Sequence, residues 1–158
     1  MSRRDQITMS PAEVAGFLEE ERTVVAATIG RDGWPHLMPL WYVVRAAQDG
    51  PRVWAWTFAK SQKVRNLERD TRATLQVEAG REYHELRGVM LRTTVTIHRD
   101  LDTVLATGLD VARRYGGGHE APPEAQAALR AQAAKRVALE FAETGRSTWD
   151  HRKLGGGY

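Results

Sequence analysis

Cysteine is absent from the 158 residues of this chain. Its absence excludes disulfides, thiolate nucleophiles, iron–sulfur clusters and cysteine-ligated zinc, and a reducing cytoplasm is the natural compartment for such a chain. Long apolar runs are lacking as well, since no segment approaches the roughly 20 uncharged apolar residues of a membrane-spanning helix. Met1 to Met9 is too polar for a signal peptide. We therefore expect a soluble, cytoplasmic protein with no membrane partner.

Clustered charge is also missing. The 23 basic and 20 acidic residues are mixed along the chain and leave a net charge of +3. A nucleic-acid-binding surface concentrates its cations on one face, so we expect no nucleic-acid partner. The five histidines are scattered without an H-E-x-x-H pair, which argues against a metal site. No G-x-S-x-G motif supports a serine hydrolase.

Turn residues and hydrophobic periodicity divide the chain into short elements. Ser10-Pro11-Ala12-Glu13 is a capping box that opens a helix over residues 10–20. Alternating and β-branched segments within residues 23–98 predict antiparallel strands, beginning with a hairpin around Gly30–Gly33. Gly88 is expected to mark a bulge or a bend in the longest strand. The six predicted strands cover residues 23–29, 35–44, 52–57, 72–78, 82–98 and 136–141.

Helical patterns occupy residues 101–134, and residues 136–158 form the last strand and a C-terminal tail. No β-α-β alternation and no linker is present. The chain therefore predicts a single domain over residues 1–158, mainly β within the α+β class, that folds as a six-stranded antiparallel barrel with inserted helices.

The segment from Thr57 to Leu67 carries the clearest chemical signal. A strand ends there and a helix begins at Ser61, so unpaired backbone N–H groups and the positive end of the helix dipole meet at one point, where anions bind. Lys63 and Arg65 add positive charge beside it. From these residues alone, a plain N-cap with solvated surface cations is the simpler interpretation, and both remain open.

Three tryptophans, Trp41, Trp54 and Trp56, lie on predicted neighbouring strands. Trp54 and Trp56 alternate with Val53, Ala55 and Thr57 and so point to the other face of their strand. Aromatic residues favour half-buried sheets, which makes core packing their default role. A planar ligand bound against the sheet would use the same residues, and the pattern does not separate the two uses.

Taken together, four segments resemble the pyridoxamine 5′-phosphate oxidase-like split-barrel superfamily, and within it the flavin/deazaflavin oxidoreductase B group. Their order and spacing span almost the whole chain, although each segment alone is weakly specific. The segments are residues 27–41 (ATIGRDGWPHLMPLW), 61–70 (SQKVRNLERD), 86–89 (LRGV) and 149–154 (WDHRKL).

This resemblance implies a homodimer of split β-barrels with two cofactors at the subunit interface. The cofactor phosphate would lie at the start of the helix after the third strand, near Thr57, Ser61, Gln62, Lys63, Arg65 and Asn66. The ring would lie near His36, Pro39, Leu40 and Trp41. Glu78, Arg81, Tyr83 and the segment from Trp149 to Lys153 of the other subunit would complete the pocket.

The function implied is an oxidoreductase that uses reduced coenzyme F420, or alternatively FMN, to transfer a hydride to an unsaturated small molecule. No side-chain acid is obligatory, and Tyr83, His36 or solvent are the candidates to supply the proton. Two alternatives stay open: an FMN-dependent enzyme of the pyridoxamine phosphate oxidase type, and a non-catalytic protein that binds flavin, deazaflavin or haem.

Overall fold

The computed structural model describes residues 2–155, which form one antiparallel sheet of seven strands in the order β2-β1-β5-β6-β7-β4-β3. The strands are β1 (Val24–Ile29), β2 (Pro35–Leu40), β3 (Val43–Arg45), β4 (Arg52–Phe58), β5 (Arg72–Ala79), β6 (Arg87–His98) and β7 (Arg136–Asp150). β2 and β3 are the outermost strands of this sheet, which does not close on itself. The predicted antiparallel class is confirmed, with seven strands in place of six.

The additional strand arises because the predicted strand over residues 35–44 breaks at Trp41 and Tyr42. The backbone N–H of Tyr42 donates to the hydroxyl of Tyr115, 3.0 Å away, and its carbonyl accepts from Arg114 at 2.6 Å. The Tyr42 ring is fully buried, and its hydroxyl donates to the carbonyl of Leu18. Side chains from a distant helix thus bind the backbone groups that a continuous strand would pair with a neighbour.

Five helices accompany the sheet in the described part of the chain. They are α1 (Arg3–Gln6), α2 (Pro11–Glu20), α3 (Gln62–Arg69), α4 (Leu101–Tyr115) and α5 (Pro123–Ala133). The capping box at the start of α2 forms as the sequence predicts, with Ser10 and Glu13 each bound to the other's backbone N–H. Two single 3-10 turns, Tyr83–Glu85 and His151–Leu154, complete the regular structure.

Alternation along the strands separates a buried face from an outer one. Val53, Ala55 and Thr57 of β4 are buried, whereas Trp54 and Trp56 between them are half-buried on the other face. The same alternation in β1 and β5 contributes Val24, Ala26, Leu75 and Val77 to a single core. α3 packs against β1 and β6 and adds Val64 and Leu67 to that core. The start of α3 is thereby held against the sheet.

Gly88 does not form a bulge, which is one of the two roles that the sequence predicts for it. Its pairing with Glu78 and Trp149 is regular, and the register shift in β6 lies between Arg92 and Thr93. A Cβ atom on Gly88 would lie 2.2 Å from the Trp149 ring, so the glycine makes room for that indole. β6 is also shorter than predicted, because residues 83–85 turn before it begins.

The helical segment α4–α5 covers the outer face of β4. α4 crosses Trp56 at Gly108, where a Cβ atom would lie 2.5 Å from the ring. Trp54 stacks on His98, with ring centroids 4.9 Å apart, and both tryptophans pack against the small cluster around Val104. Core packing is therefore the role of Trp54 and Trp56. None of the helices between residues 2 and 155 is both long and apolar enough to cross a membrane.

Candidate anion-binding site

The turn between β4 and α3 presents unpaired hydrogen-bond donors. Ser61 precedes the helix, and its backbone N–H donates to the carbonyl of Phe58 at 3.0 Å. The first intrahelical bond runs from Arg65 to Ser61, so the N–H groups of the first three helical residues have no intrahelical acceptor. The Ser61 side chain does not cap the helix, and its buried Oγ atom has no hydrogen-bond partner. The turn therefore offers donors that a bound anion can satisfy.

Lys63 directs a buried positive charge to the same turn. Its side chain is 7% exposed, and its ammonium donates to the hydroxyl of Thr57 at 3.1 Å. No carboxylate in residues 2–155 forms an ion pair with it. Burial lowers the pKa of Lys63 below its ordinary value of 10.5. A buried ammonium with one neutral partner is costly, and a bound anion would offset that cost.

Asn66 holds α3 in place beneath this turn. Its side chain is fully buried, donates to the Thr28 hydroxyl at 3.0 Å, and accepts from Gln62 and Arg69. Asn66 and Gln62, both predicted to bind the cofactor, thus form a hydrogen-bonded brace. Thr28 is a member of this brace that the sequence did not single out, because a threonine within a β-branched run is typical of any strand.

His36 is connected to this brace through Thr28. It lies opposite Thr28 in the β1–β2 pair, and its carbonyl oxygen lies 3.5 Å from the Thr28 hydroxyl. Its Nδ1 atom is buried and has no hydrogen-bond partner. Since β2 is an edge strand, alternate backbone groups along it also lack a strand partner. These donors and acceptors suit the polar edge of a bound ring.

The residues present fit a phosphate-bearing cofactor. A phosphate needs several donors and a cation, and Lys63, Ser61 and the α3 N-terminus supply them within one turn of helix. Residues 2–155 contain no cluster of three or more histidine or acidic side chains that could hold a metal ion.

The predicted ring-binding residues Pro39, Leu40 and Trp41 lie at the far end of β2. Pro39 and Leu40 pair with Val25 and Val24 of β1. The Trp41 indole is 58% exposed, and its other face stacks on Tyr115 at a centroid distance of 4.4 Å. Trp41 is therefore held in a fixed orientation by an aromatic contact that the sequence did not predict.

The other predicted residues lie away from the β4–α3 turn within the same chain. Glu78 lies six positions along β5 from Arg72, which follows the end of α3 in sequence, a distance of about 20 Å. Arg81 is exposed, and Tyr83 packs edge-on against His151. The Lys153 ammonium is bound to the Glu13 carboxylate at 2.8 Å. One chain does not bring these residues to the phosphate donors.

Strand register nevertheless places three of the predicted residues on one face. Glu78 and Trp149 both lie opposite Gly88, and Pro39 shares their side of the sheet through Val25 and Gln76. This outer sheet face is opposite the buried residues Leu75 and Val77. It also carries Leu37, which is 56% exposed.

Comparison with known proteins identifies the family. Residues 10–147 match the family model of pyridoxamine 5′-phosphate oxidase. A conserved hypothetical protein from Mycobacterium tuberculosis, Rv2991, is 36% identical, with a TM-score of 0.86 over 100% of this chain and 95% of its own. An F420 reductase is 26% identical, with a TM-score of 0.62 over 84% of this chain and 94% of its own.

A more distant structure shares the fold alone. The haem storage protein HutZ from Vibrio cholerae is 16% identical, with a TM-score of 0.65 over 87% of this chain and 94% of its own. No curated protein matches the chain. The family predicted from the four sequence segments is confirmed: the chain belongs to the pyridoxamine 5′-phosphate oxidase family, within the split-barrel superfamily of flavin-binding oxidoreductases.

Proposed function

We propose that this chain is a subunit of an oxidoreductase that binds a phosphate-bearing deazaflavin, coenzyme F420, with FMN as the alternative, and reduces an unsaturated small molecule. The observation that carries the proposal is Lys63, a buried ammonium whose one hydrogen-bond partner is the neutral Thr57 hydroxyl. The unpartnered Oγ atom of Ser61 lies at the start of the same helix. Such an arrangement is poorly satisfied until an anion binds.

Two features favour the deazaflavin over FMN. Lys60 and Arg65 flank the turn, are exposed and form no ion pair with a residue between 2 and 155, so they are available to the anionic tail that F420 carries in addition to the group bound by Lys63. The F420 reductase noted above is also similar in sequence, at 26% identity. Arg69, in contrast, is engaged with backbone carbonyls of Arg65 and Ile29.

The residues of this chain act by binding and orientation. Lys63, Ser61 and the first N–H groups of α3 hold the phosphate, and the unpaired groups of β2 orient the ring. A reduced deazaflavin or flavin supplies the hydride when it is bound. His36, whose buried Nδ1 atom has no hydrogen-bond partner within residues 2–155, is one candidate to hold or deliver a proton beside the ring, with Tyr83 as the other side-chain candidate.

We propose a homodimer assembled through the outer sheet face. Leu37 lies exposed on that face, and Trp34, just before β2, is 74% exposed; apolar surface of this kind is typical of an interface. Glu78 and Trp149 lie on the same face. A second copy packed there would bring them, with Arg81, Tyr83 and Lys153, towards the cofactor bound by its partner.

Parallel titrations with F420, FMN and riboflavin test this function. We expect saturable binding of F420 or FMN at one molecule per chain in a two-chain particle. Riboflavin, which lacks the phosphate, should bind at least about tenfold more weakly, because a hydrogen bond to a charged group contributes about 1.5–3 kcal/mol. Equal binding of riboflavin and FMN, or no binding of either phosphate-bearing cofactor, would contradict the proposal.

The reaction is tested separately from binding. Reduced F420 mixed with the protein and a panel of enones should be oxidised, and its absorbance should change only when protein and acceptor are both present. Tight binding without oxidation by any acceptor would identify a cofactor carrier instead of a catalyst.

A further inference from the structure

Arg136 is a second cation at the β4–α3 turn, on the opposite face of β4 from Lys63. It lies directly across from Phe58 in the β4–β7 pair, while Thr57, the partner of Lys63, pairs with the next residue, Val137. The carbonyl of Phe58 accepts from Ser61. Arg136 and the unpartnered Ser61 hydroxyl therefore flank the same backbone segment.

Aromatic rings hold the Arg136 guanidinium in place. Its central carbon lies 4.4 Å from the centroid of Trp56 and 4.2 Å from the centroid of Phe58. A cation–π contact of this kind does not use the N–H donors of the guanidinium in conventional hydrogen bonds, so those donors remain for a ligand. The two rings therefore hold the guanidinium in position before a ligand binds.

The donors of Arg136 have no partner within the described chain. Its Nε atom is buried without a hydrogen bond, and no ion pair joins the guanidinium to a carboxylate in residues 2–155. Burial lowers the pKa of Arg136, yet a guanidinium stays charged in proteins. The result is a half-buried positive charge that lacks a counter-charge within residues 2–155.

The other arginines that lie over aromatic rings do form hydrogen bonds through their guanidinium groups. Among residues 2–155, four more arginines lie over aromatic rings, and each also donates hydrogen bonds to a carboxylate or a backbone carbonyl: Arg22, Arg45, Arg87 and Arg114. Arg136 differs from all four because its donors are unused. The difference points to a ligand, since stacking alone does not satisfy the N–H groups.

We propose that Arg136 binds a carboxylate or phosphate group, as an anion subsite separate from the one at Lys63. The planar fork matches the two oxygens of such a group and forms paired hydrogen bonds with them. Lys135, exposed and adjacent in sequence, adds positive charge at the same strand end. The anionic group has two possible sources, a distal charge of the cofactor bound at Lys63 or a separate small anion.

Binding to Arg136→Gln tests the subsite and separates the two sources. F420, FMN and tri-γ-glutamate are titrated in turn, with Arg130→Gln as a matched control on the exposed side of α5. If the anion belongs to the cofactor, Arg136→Gln weakens F420 binding by at least about tenfold and leaves FMN within about twofold. If the anion is separate, tri-γ-glutamate binding is lost while both cofactors bind as before.

A direct readout keeps the test independent of the cofactor. The Arg136 Nε–Hε resonance of the wild-type protein, assigned by its loss in Arg136→Gln, should shift and saturate with tri-γ-glutamate or pyrophosphate. This measurement holds even if the protein binds no flavin, in which case the proposed function fails while the subsite stands. No shift with either anion at millimolar concentration, together with unchanged F420 affinity, overturns the subsite.

Two results guard against a trivial explanation. Equal weakening by Arg136→Gln and Arg130→Gln would show a general charge effect and overturn the proposal. Arg136→Lys keeps the charge without the fork and should recover only part of the lost affinity. If Arg136→Gln melts early, Arg136→Lys provides the comparison in a folded protein.

Discussion

Replacement of Lys63 by methionine tests the site most directly. Methionine keeps a flexible, unbranched side chain of similar length and removes only the ammonium and its bond to the Thr57 hydroxyl. We expect the variant to fold normally, because the wild-type ammonium is buried without a counter-charge and its loss removes a desolvation cost. The expected loss is confined to cofactor binding.

The magnitude follows from the exposure of Lys63. Two unit charges about 4 Å apart interact by roughly 1 kcal/mol in water and about 4 kcal/mol at the effective dielectric constant typical of sites near a protein surface. Because Lys63 is 7% exposed, its interaction with a bound anion should be closer to the second of these energies. A hydrogen bond to a charged group contributes about 1.5–3 kcal/mol. We therefore expect cofactor affinity to fall about 10- to 150-fold.

Calorimetric titration of F420 and FMN into both proteins measures this loss, and thermal melting of the ligand-free proteins measures folding. Lys60→Met is the matched control in the FMN titration, since FMN lacks the additional anionic tail and the substitution removes the same charge from an exposed position three residues earlier. An exposed charge contributes at most about 1 kcal/mol, or roughly fivefold in affinity. The reasoning is refuted if Lys63→Met binds as tightly as wild type, weakens binding no more than Lys60→Met, or melts early.

Two further predictions concern stability. The folded-state pKa of Lys63 is lowered, so the unfolded chain binds more protons than the folded chain as pH approaches 10.5. Any stability advantage of Lys63→Met over wild type should therefore be greatest near neutral pH and shrink as pH rises towards that value. Denaturant unfolding from pH 7 to 10 measures this advantage, and an advantage that grows with pH contradicts the prediction. Gly108→Ala should cost about 1–3 kcal/mol because the added methyl meets the Trp56 ring at 2.5 Å, which outweighs the gain of up to about 1 kcal/mol in helix propensity. Gly16→Ala, in α2 with open space around it, should show that gain alone, and equal effects of the two substitutions would contradict the contact.

The predicted pocket residues are separated within one chain. The phosphate donors gather around α3, while Glu78 and Trp149 lie on the outer sheet face, opposite the buried residues Leu75 and Val77. The proposed second copy resolves this separation, since residues that are distant within a chain become neighbours across an interface. We therefore expect the particle to have the mass of two chains, and we expect Trp149→Ala to weaken cofactor binding in that particle.

Local chemistry by itself determined the capping box of α2, the alternation of β4 and the start of α3 at Ser61, because each depends on residues within one or two turns of chain. The family also followed from motifs in the sequence. Only the tertiary structure decided that the predicted 35–44 strand breaks at Tyr42, since the groups that bind its backbone come from Arg114 and Tyr115, more than 70 residues away.

The burial of the two cations at the β4–α3 turn was also decided only by the tertiary structure. In sequence, Lys63 and Arg136 look like ordinary surface cations. Whether a cation has a carboxylate beside it depends on which strands and helices pack together, and that pairing is a long-range property of the fold. Within residues 2–155 the structure leaves both of these cations without an acidic partner near one turn, and this supports the proposal that the turn binds an anion.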